Sequence, residues 1–215
     1  MMTTSLQELL RVALALSLAT ALQAETREPE KSAVPSDDPA ALVDSLHDTL
    51  LEAMKLAGQE AYRDRYGKIG PALRDGFDVP GISRLVLGKT WPELSEEERA
   101  AFVDVMRRFM TANYASNFDS FSDQRFEKAQ TLRQEGRVAV VRSAFVSGDG
   151  KRRLFDYQLR KTSEGWRIVN VAVDGVSDLS LKRAEFADVI GKKGFEGLLQ
   201  ELETRIEELA AESGA

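Results

Sequence analysis

The stretch "WRIVNVAVDGVSDLSLKRAEF" (166–186) decides the fold. Read as an extended strand, it puts Trp166 and Ile168 on one face and Val169, Val171 and Val173 on the other. Both faces are apolar, in a chain of which 30% of residues are charged. Asp174-Gly175 then breaks the strand, and a helix begins at once with Ser177 or Asp178 as its N-cap. A strand that wets neither face needs apolar cover on both.

Upstream the pattern has period two. It predicts strands over 125–134, 137–147, 151–161 and 165–173. Glu135-Gly136, Gly148-Asp149-Gly150 and Ser163-Glu164-Gly165 are short turns between them, so the strands form an antiparallel meander. Phe155, Tyr157 and Leu159 share one face of the third strand, and Leu154, Asp156 and Gln158 the other. In the second strand Val138 and Val140 oppose Ala139, Val141 and Phe145. The sheet therefore has one richly apolar face and one mixed face.

The sequence before and after the sheet is helical. Asp38-Pro39 reads as an N-cap and first-turn proline, and Leu42, Leu46, Leu50 and Met54 then recur every four residues until about Gly58. Residues 60–91 read as short helices broken at Gly67, Gly70-Pro71 and Pro80-Gly81. Ser95 and Glu98 form a capping box for a helix to about 117, whose stripe is Phe102, Val105, Met106, Phe109, Met110 and Asn113. Two helices, about 178–190 and 195–211, close the chain. Helices, sheet, then helices is an α+β order: a helical layer on a curved four-stranded antiparallel sheet. Periodicity does not distinguish a filled core from a lined cavity. Met106, Phe109, Met110, Phe145 and Tyr157 crowd the expected wall, and methionine suits adaptable apolar surfaces.

The N-terminus reads as an export signal: Arg11, an apolar run from Val12 to Leu22, then small residues at Ala19, Ala21 and Ala24. Cleavage is expected after Ala21 or Ala24. The organisation is then signal peptide 1–24, polar linker 25–38 and one domain 39–215. The apolar run is shorter than the ~20 residues of a membrane span.

Composition removes several classes of function. The formal net charge of −6 argues against nucleic acid as a partner. The chain has no cysteine and one histidine, so disulfides, thiolate nucleophiles and multi-histidine metal sites are excluded. No metal site, cofactor or catalytic set is expected. His47, between Asp44 and Asp48, reads as a solvated helix residue. "GVSDL" (175–179) lacks the last glycine of a nucleophile elbow, and no phosphate-binding G-x-x-x-x-G-K-[ST] motif occurs. "GKKGFEG" (191–197) reads as a helix end at Gly191 followed by a new helix. Asp156, among apolar neighbours, is the one candidate acid for an isomerase- or dehydratase-like activity; a salt bridge to Arg142 or Arg167 is the plainer expectation.

Four stretches in order, "FDVPGISRLVLGKTW" (77–91), "LSEEERAAFVDVMRRFMTANYASNFDSF" (94–121), "YQLRKTSEGWRIVNVAVDGVS" (157–177) and "LKRAEFADVI" (181–190) with "GFEGLLQEL" after it, resemble the MlaC and toluene-tolerance auxiliary protein family. "DGVSDLSLKRAEF" (174–186) is similar to its hopanoid-biosynthesis-associated branch. The resemblance spans about residues 40–205. It implies a fold like nuclear transport factor two with an apolar cavity, and a periplasmic, non-enzymatic carrier. Such a carrier moves phospholipid, or a hopanoid-type lipid, between an inner-membrane ABC transporter complex and an outer-membrane lipoprotein complex. A monomer is expected. The lipid-binding wall it implies comprises Phe77, Leu85, Phe102, Met106, Phe109, Met110, Tyr114, Phe118, Phe145, Tyr157, Val169, Val171, Val173, Val176 and Phe186. On this reading Val169, Val171 and Val173 face the lipid and Trp166 and Ile168 pack against helices behind the sheet, or the two faces are exchanged. A docking module without a ligand is the other alternative to the enzyme. An acyl chain of about fifteen methylenes costs roughly 12 kcal/mol to leave in water, at ~0.8 kcal/mol per methylene, so a carrier must supply nearly continuous apolar wall.

Overall fold

The computed structural model describes residues 37–56 and 61–213, which fall in one compact unit. The expected export signal, most of the linker and Gly58 lie outside the described residues.

Helix α1 (Pro39–Met54) opens with Asp38, whose side chain accepts from the Ala40 amide at 2.9 Å. Helix α2 (Ala61–Gly76) corrects the expectation of short broken helices, because it runs through Gly67 and Gly70-Pro71. Packing overrides the weak local propensity. Ile69 and Leu73 are fully buried, and the buried Arg65 Nε donates to the Ala115 carbonyl at 2.8 Å. Helix α3 (Val79–Leu87) starts at Asp78, which caps the Gly81 amide. A 3₁₀ turn (Gly88–Glu93) leads to α4 (Glu96–Asn117), where Ser95 and Glu98 complete the expected capping box.

The sheet has six strands instead of four. The first expected strand is two pieces, β1 (Arg125–Phe126) and β2 (Gln130–Glu135), both paired with β3 (Val138–Val146). Then follow β4 (Arg152–Thr162), β5 (Gly165–Val173) and a short β6 (Val176–Ser177), each antiparallel to the one before. The expected α+β class and antiparallel sheet are what the chain adopts. Asp174 and Gly175 both have positive φ, 49° and 84°, as a two-residue hairpin turn requires. The last element, α5 (Asp178–Ser213), passes Gly191 and breaks only at Gly194 (φ 75°, ψ 179°). The expected helix end at Gly191 is thereby moved three residues on.

Strand β5 is not regular. Gln158 pairs with Asn170, but the next residue, Leu159, pairs with Ile168, so Val169 is an extra residue in β5. This bulge re-phases the strand. Lys161, Leu159, Tyr157 and Phe155 lie on one face of β4, and their partners are Trp166, Ile168, Val171 and Val173. Residues expected on opposite faces of β5 therefore share one. Helices cover this face: Ala139, Val141, Tyr157, Leu159, Trp166 and Ile168 are buried in the same cluster as α1 to α5. The indole of Trp166 donates to the Asp37 carbonyl at 2.9 Å, and the Asp78 amide to the Ile168 carbonyl at 3.0 Å. These bonds tie the start of α1 and the α2–α3 junction to β5.

Replacing Gly175 by alanine should cost about 1–2 kcal/mol in urea unfolding, because a side chain disfavours the left-handed backbone there.

Candidate functional site

The bulge has a local consequence. Val169, Asn170 and Val171, three residues in a row, all line one cavity, which a regular strand with alternating side chains does not allow. Opposite them, α4 contributes Met106, Phe109, Met110, Asn113 and Tyr114, the i, i+3, i+4, i+7 and i+8 positions of one helical face. Ile82 and Val86 of α3 and Phe77 complete the apolar wall. The first turns of α5 add Asp178, Leu179 and Lys182. The cavity volume is ≈ 100 Å³.

From this cavity an aromatic row runs along the covered face of the sheet. Phe77 meets Tyr114 (6.0 Å between ring centres), Tyr114 stacks on Phe118 (5.8 Å), and Phe118 touches Phe126 and Phe145 (6.3 Å each). Phe126 lies 5.0 Å from Phe145 and 6.1 Å from Phe155, which stacks on Tyr157 at 6.2 Å. Tyr114, Phe118, Phe126, Phe145 and Phe155 are only half-buried, so the row is an apolar surface that the helices do not fully cover. Its far end is closed by His47, stacked on Phe126 at 3.9 Å with the rings nearly parallel and sharing a 2.9 Å hydrogen bond with the Tyr157 hydroxyl.

A family model described as MlaC protein matches residues 44–204. The chain belongs to the MlaC family. Among solved structures, a phospholipid-binding protein from Ralstonia solanacearum, in complex with a phospholipid, has the same fold at a TM-score of 0.70. The two sequences are 22% identical, and the match covers 80% of this chain and 99% of that one.

In this member of the family the fifteen expected wall residues separate into groups. Phe77, Met106, Phe109, Met110, Tyr114, Val169 and Val171 line the cavity. Phe118, Phe145 and Tyr157 belong to the aromatic row beyond it. Val173 pairs with Phe155 at the edge of that row. Phe102 and Phe186 are instead a fully buried edge-to-face pair between α4 and α5, away from the cavity. Leu85 and Val176 are exposed, at 43% and 55%. Periodicity marked the covered side of each element but not how deep along it a cavity begins. It missed Ile82 and Val86, whose i, i+4 spacing was readable, and Phe126, which sits in a two-residue strand with no measurable period. Asn170 had no signal, since only the bulge puts it at the cavity beside Val169 and Val171, and Asp178 and Lys182 are polar residues that the first turns of α5 bring there.

Asp156 takes the plainer of its two expected roles. Arg142 holds it with two hydrogen bonds, Nε to Oδ1 at 2.6 Å and Nη2 to Oδ2 at 2.8 Å. That pairing keeps the carboxyl below its ordinary range, and Asp156 does not line the cavity. Among the described residues no group of three or more His, Asp or Glu side chains is placed to hold a metal ion. Ser177 of the "GVSDL" stretch caps the Ser180 amide at 3.2 Å.

His47 corrects the sequence reading. It is 2% exposed, not solvated, because Val43, Leu46, His47 and Leu50 form the buried face of α1. Its acidic neighbours in sequence, Asp44 and Asp48, pointed the other way; Asp44 caps the Ala129 amide at 2.8 Å. Burial lowers the imidazole pKa to about 4, so the ring is neutral at pH 7. The unfolded chain, with a histidine pKa near 6.5, binds the proton first as pH falls. The stability from neutral His47 is therefore complete above about pH 6.5 and lost on the way down to about pH 4. Urea unfolding at both pH values should show roughly 3 kcal/mol of acid-sensitive stability, at ~1.4 kcal/mol per unit, that a His47→Gln variant lacks.

Proposed function

We propose that the chain is a periplasmic lipid carrier. It holds the acyl part of a phospholipid, or of a hopanoid-type lipid, and exchanges it with an inner-membrane ABC transporter complex and an outer-membrane lipoprotein complex. The observation that carries this reading is the apolar cavity between α4 and the bulged β5, continued by an aromatic row that is only half covered. Family membership and the phospholipid bound by the Ralstonia protein support it. The expected export signal is compatible with it, and no helix among the described residues is long and apolar enough to cross a membrane.

The cavity volume of ≈ 100 Å³ is smaller than the roughly 300–1,000 Å³ of sites that enclose small organic molecules. Loading an acyl chain therefore requires α4 to part from β5 along the row. Met106 and Met110 sit at that seam, and their unbranched side chains re-pack at low cost. The same small volume favours one second reading, a docking module that carries no ligand. An isomerase or dehydratase has lost its candidate acid, because Asp156 is paired with Arg142 outside the cavity.

The deciding experiment is native mass spectrometry of the mature protein after incubation with phosphatidylethanolamine vesicles. One lipid per chain is expected. Met110→Glu, with circular dichroism unchanged, should cut loading by at least roughly tenfold, since it places an unpaired carboxylate in the apolar wall. Asp156→Asn should load like the parent. A mass that stays free of lipid would move the assignment to the docking module.

A further inference from the structure

A second concave site, a groove of ≈ 550 Å³, lies between α3, the 3₁₀ turn and the first turns of α5. Helix α3 serves both sites: Ile82 and Val86 line the cavity, while Arg84 and Leu85 line the groove. The start of α5 does the same, with Leu179 and Lys182 at the cavity and Arg183 at the groove. Trp91, Pro92 and Arg99 complete the groove.

The groove holds three guanidinium groups and no carboxylate. Arg84 and Arg183 are exposed, and neither they nor Arg99 pairs with an acid among the described residues. Arginines elsewhere do pair, Arg74, Arg107, Arg133, Arg142, Arg152 and Arg160 among them. The acids next in sequence, Glu93, Glu96 and Glu97, do not line the groove. A chain with 35 acidic residues against 29 basic ones has carboxylates to spare, and it places none here. Two of the three cations are held in place. Arg99 donates from Nε to the Trp91 carbonyl and from Nη2 to the Pro92 carbonyl, at 3.1 Å each, and its Cζ lies 5.6 Å from the centre of the Trp91 ring. Arg183 reaches across from α5 to the backbone at Gly88, where an added β-carbon would stand 3.0 Å from its Nη2.

Resting on the reading of the chain as a carrier that meets protein complexes, we infer that this groove docks an acidic segment of a partner protein. Its carboxylates sit on Arg84, Arg99 and Arg183, and an apolar side chain lies against Leu85 and Trp91. A guanidinium fork takes a carboxylate through two hydrogen bonds. Leu85, 43% exposed, and the half-buried indole of Trp91 add the apolar contact that holds a docked segment beyond charge attraction. A bilayer surface fits this site less well. It is flat where the groove is concave, and an anionic sheet of lipid meets the whole net charge of −6, while a short segment meets only the groove. The partner thus grips α3 and α5, the two elements whose other residues line the cavity.

The probe is a short labelled peptide of alternating glutamate and leucine, with a lysine–leucine peptide as its counterpart, titrated with the mature protein and followed by fluorescence anisotropy. The parent should bind the acidic peptide and not the basic one, and more weakly at about 150 mM salt than at about 20 mM. Arg84→Glu and Arg183→Glu should each weaken binding about tenfold, more than the loss of one exposed ion pair because reversal adds repulsion. Both side chains are exposed and unpaired, so circular dichroism should stay unchanged. Arg153→Glu, the same change of charge on an exposed strand residue outside the groove, should bind like the parent. Both groove variants should load lipid from vesicles as the parent does, since neither side chain lines the cavity. An acidic peptide that does not bind, or that binds the groove variants as well as the parent, overturns the inference. So does a parent that ignores the peptide but sediments with phosphatidylglycerol vesicles. In each of these cases a protein that still loads lipid leaves the carrier standing. Peptide binding that follows the two arginines, in a protein that takes no lipid, overturns the carrier reading and leaves the groove to a docking module.

Discussion

The extra residue in β5 is the constraint from which the rest of the molecule follows. A strand alternates, and each slip of one residue exchanges its faces. Trp166 and Ile168 must lie under the helices to bond to Asp37 and to pair with Phe77. Val171 and Val173 must lie under them to pair with Tyr157 and Phe155. A regular strand could satisfy only one of these pairs. The bulge at Val169 satisfies both, which explains why the sequence from Trp166 to Val173 is apolar on alternating and non-alternating positions alike.

The same irregularity positions the polar end of the cavity. Asn170 stands just after the extra residue, and its amide holds the Leu179 amide and the Ser177 hydroxyl. The hairpin at Asp174-Gly175 and the start of α5 are thus bonded back to the bulge that precedes them. Strand irregularity, turn and helix start form one connected unit, and the cavity lies between that unit and α4. At the other end of the sheet, His47 and Tyr157 close the aromatic row with a buried polar pair.

Much of this was legible in the sequence. The capping box at Ser95, the helical stripe from Phe102 to Asn113, the turn at Asp174-Gly175 and the α+β order are local patterns, and local patterns survive into the fold. What was not legible depends on contacts between distant segments. The glycines of α2 read as breaks, yet burial of Ile69 and Leu73 and the Arg65 bond to α4 hold the helix together. His47 read as solvated from its sequence neighbours, while its helical neighbours are Val43 and Leu50. The bulge has no sequence mark, since valine and asparagine occur in regular strands as well. Half the expected wall therefore landed at the cavity, and the remainder lay deeper, beyond it or on the surface.

The small volume of the cavity bears on the energetics of filling it. A wide empty tunnel would present its apolar lining to water between loads and would be both unstable and sticky. Here Met106, Phe109 and Met110 line a cavity of only ≈ 100 Å³. Taking up an apolar chain then replaces one set of dispersion contacts by another of similar density, and little new surface leaves water in the step. The resulting affinity is a small difference between two large and similar quantities. Such a difference depends little on the area removed from water, so the heat-capacity change of loading from a bilayer should be close to zero.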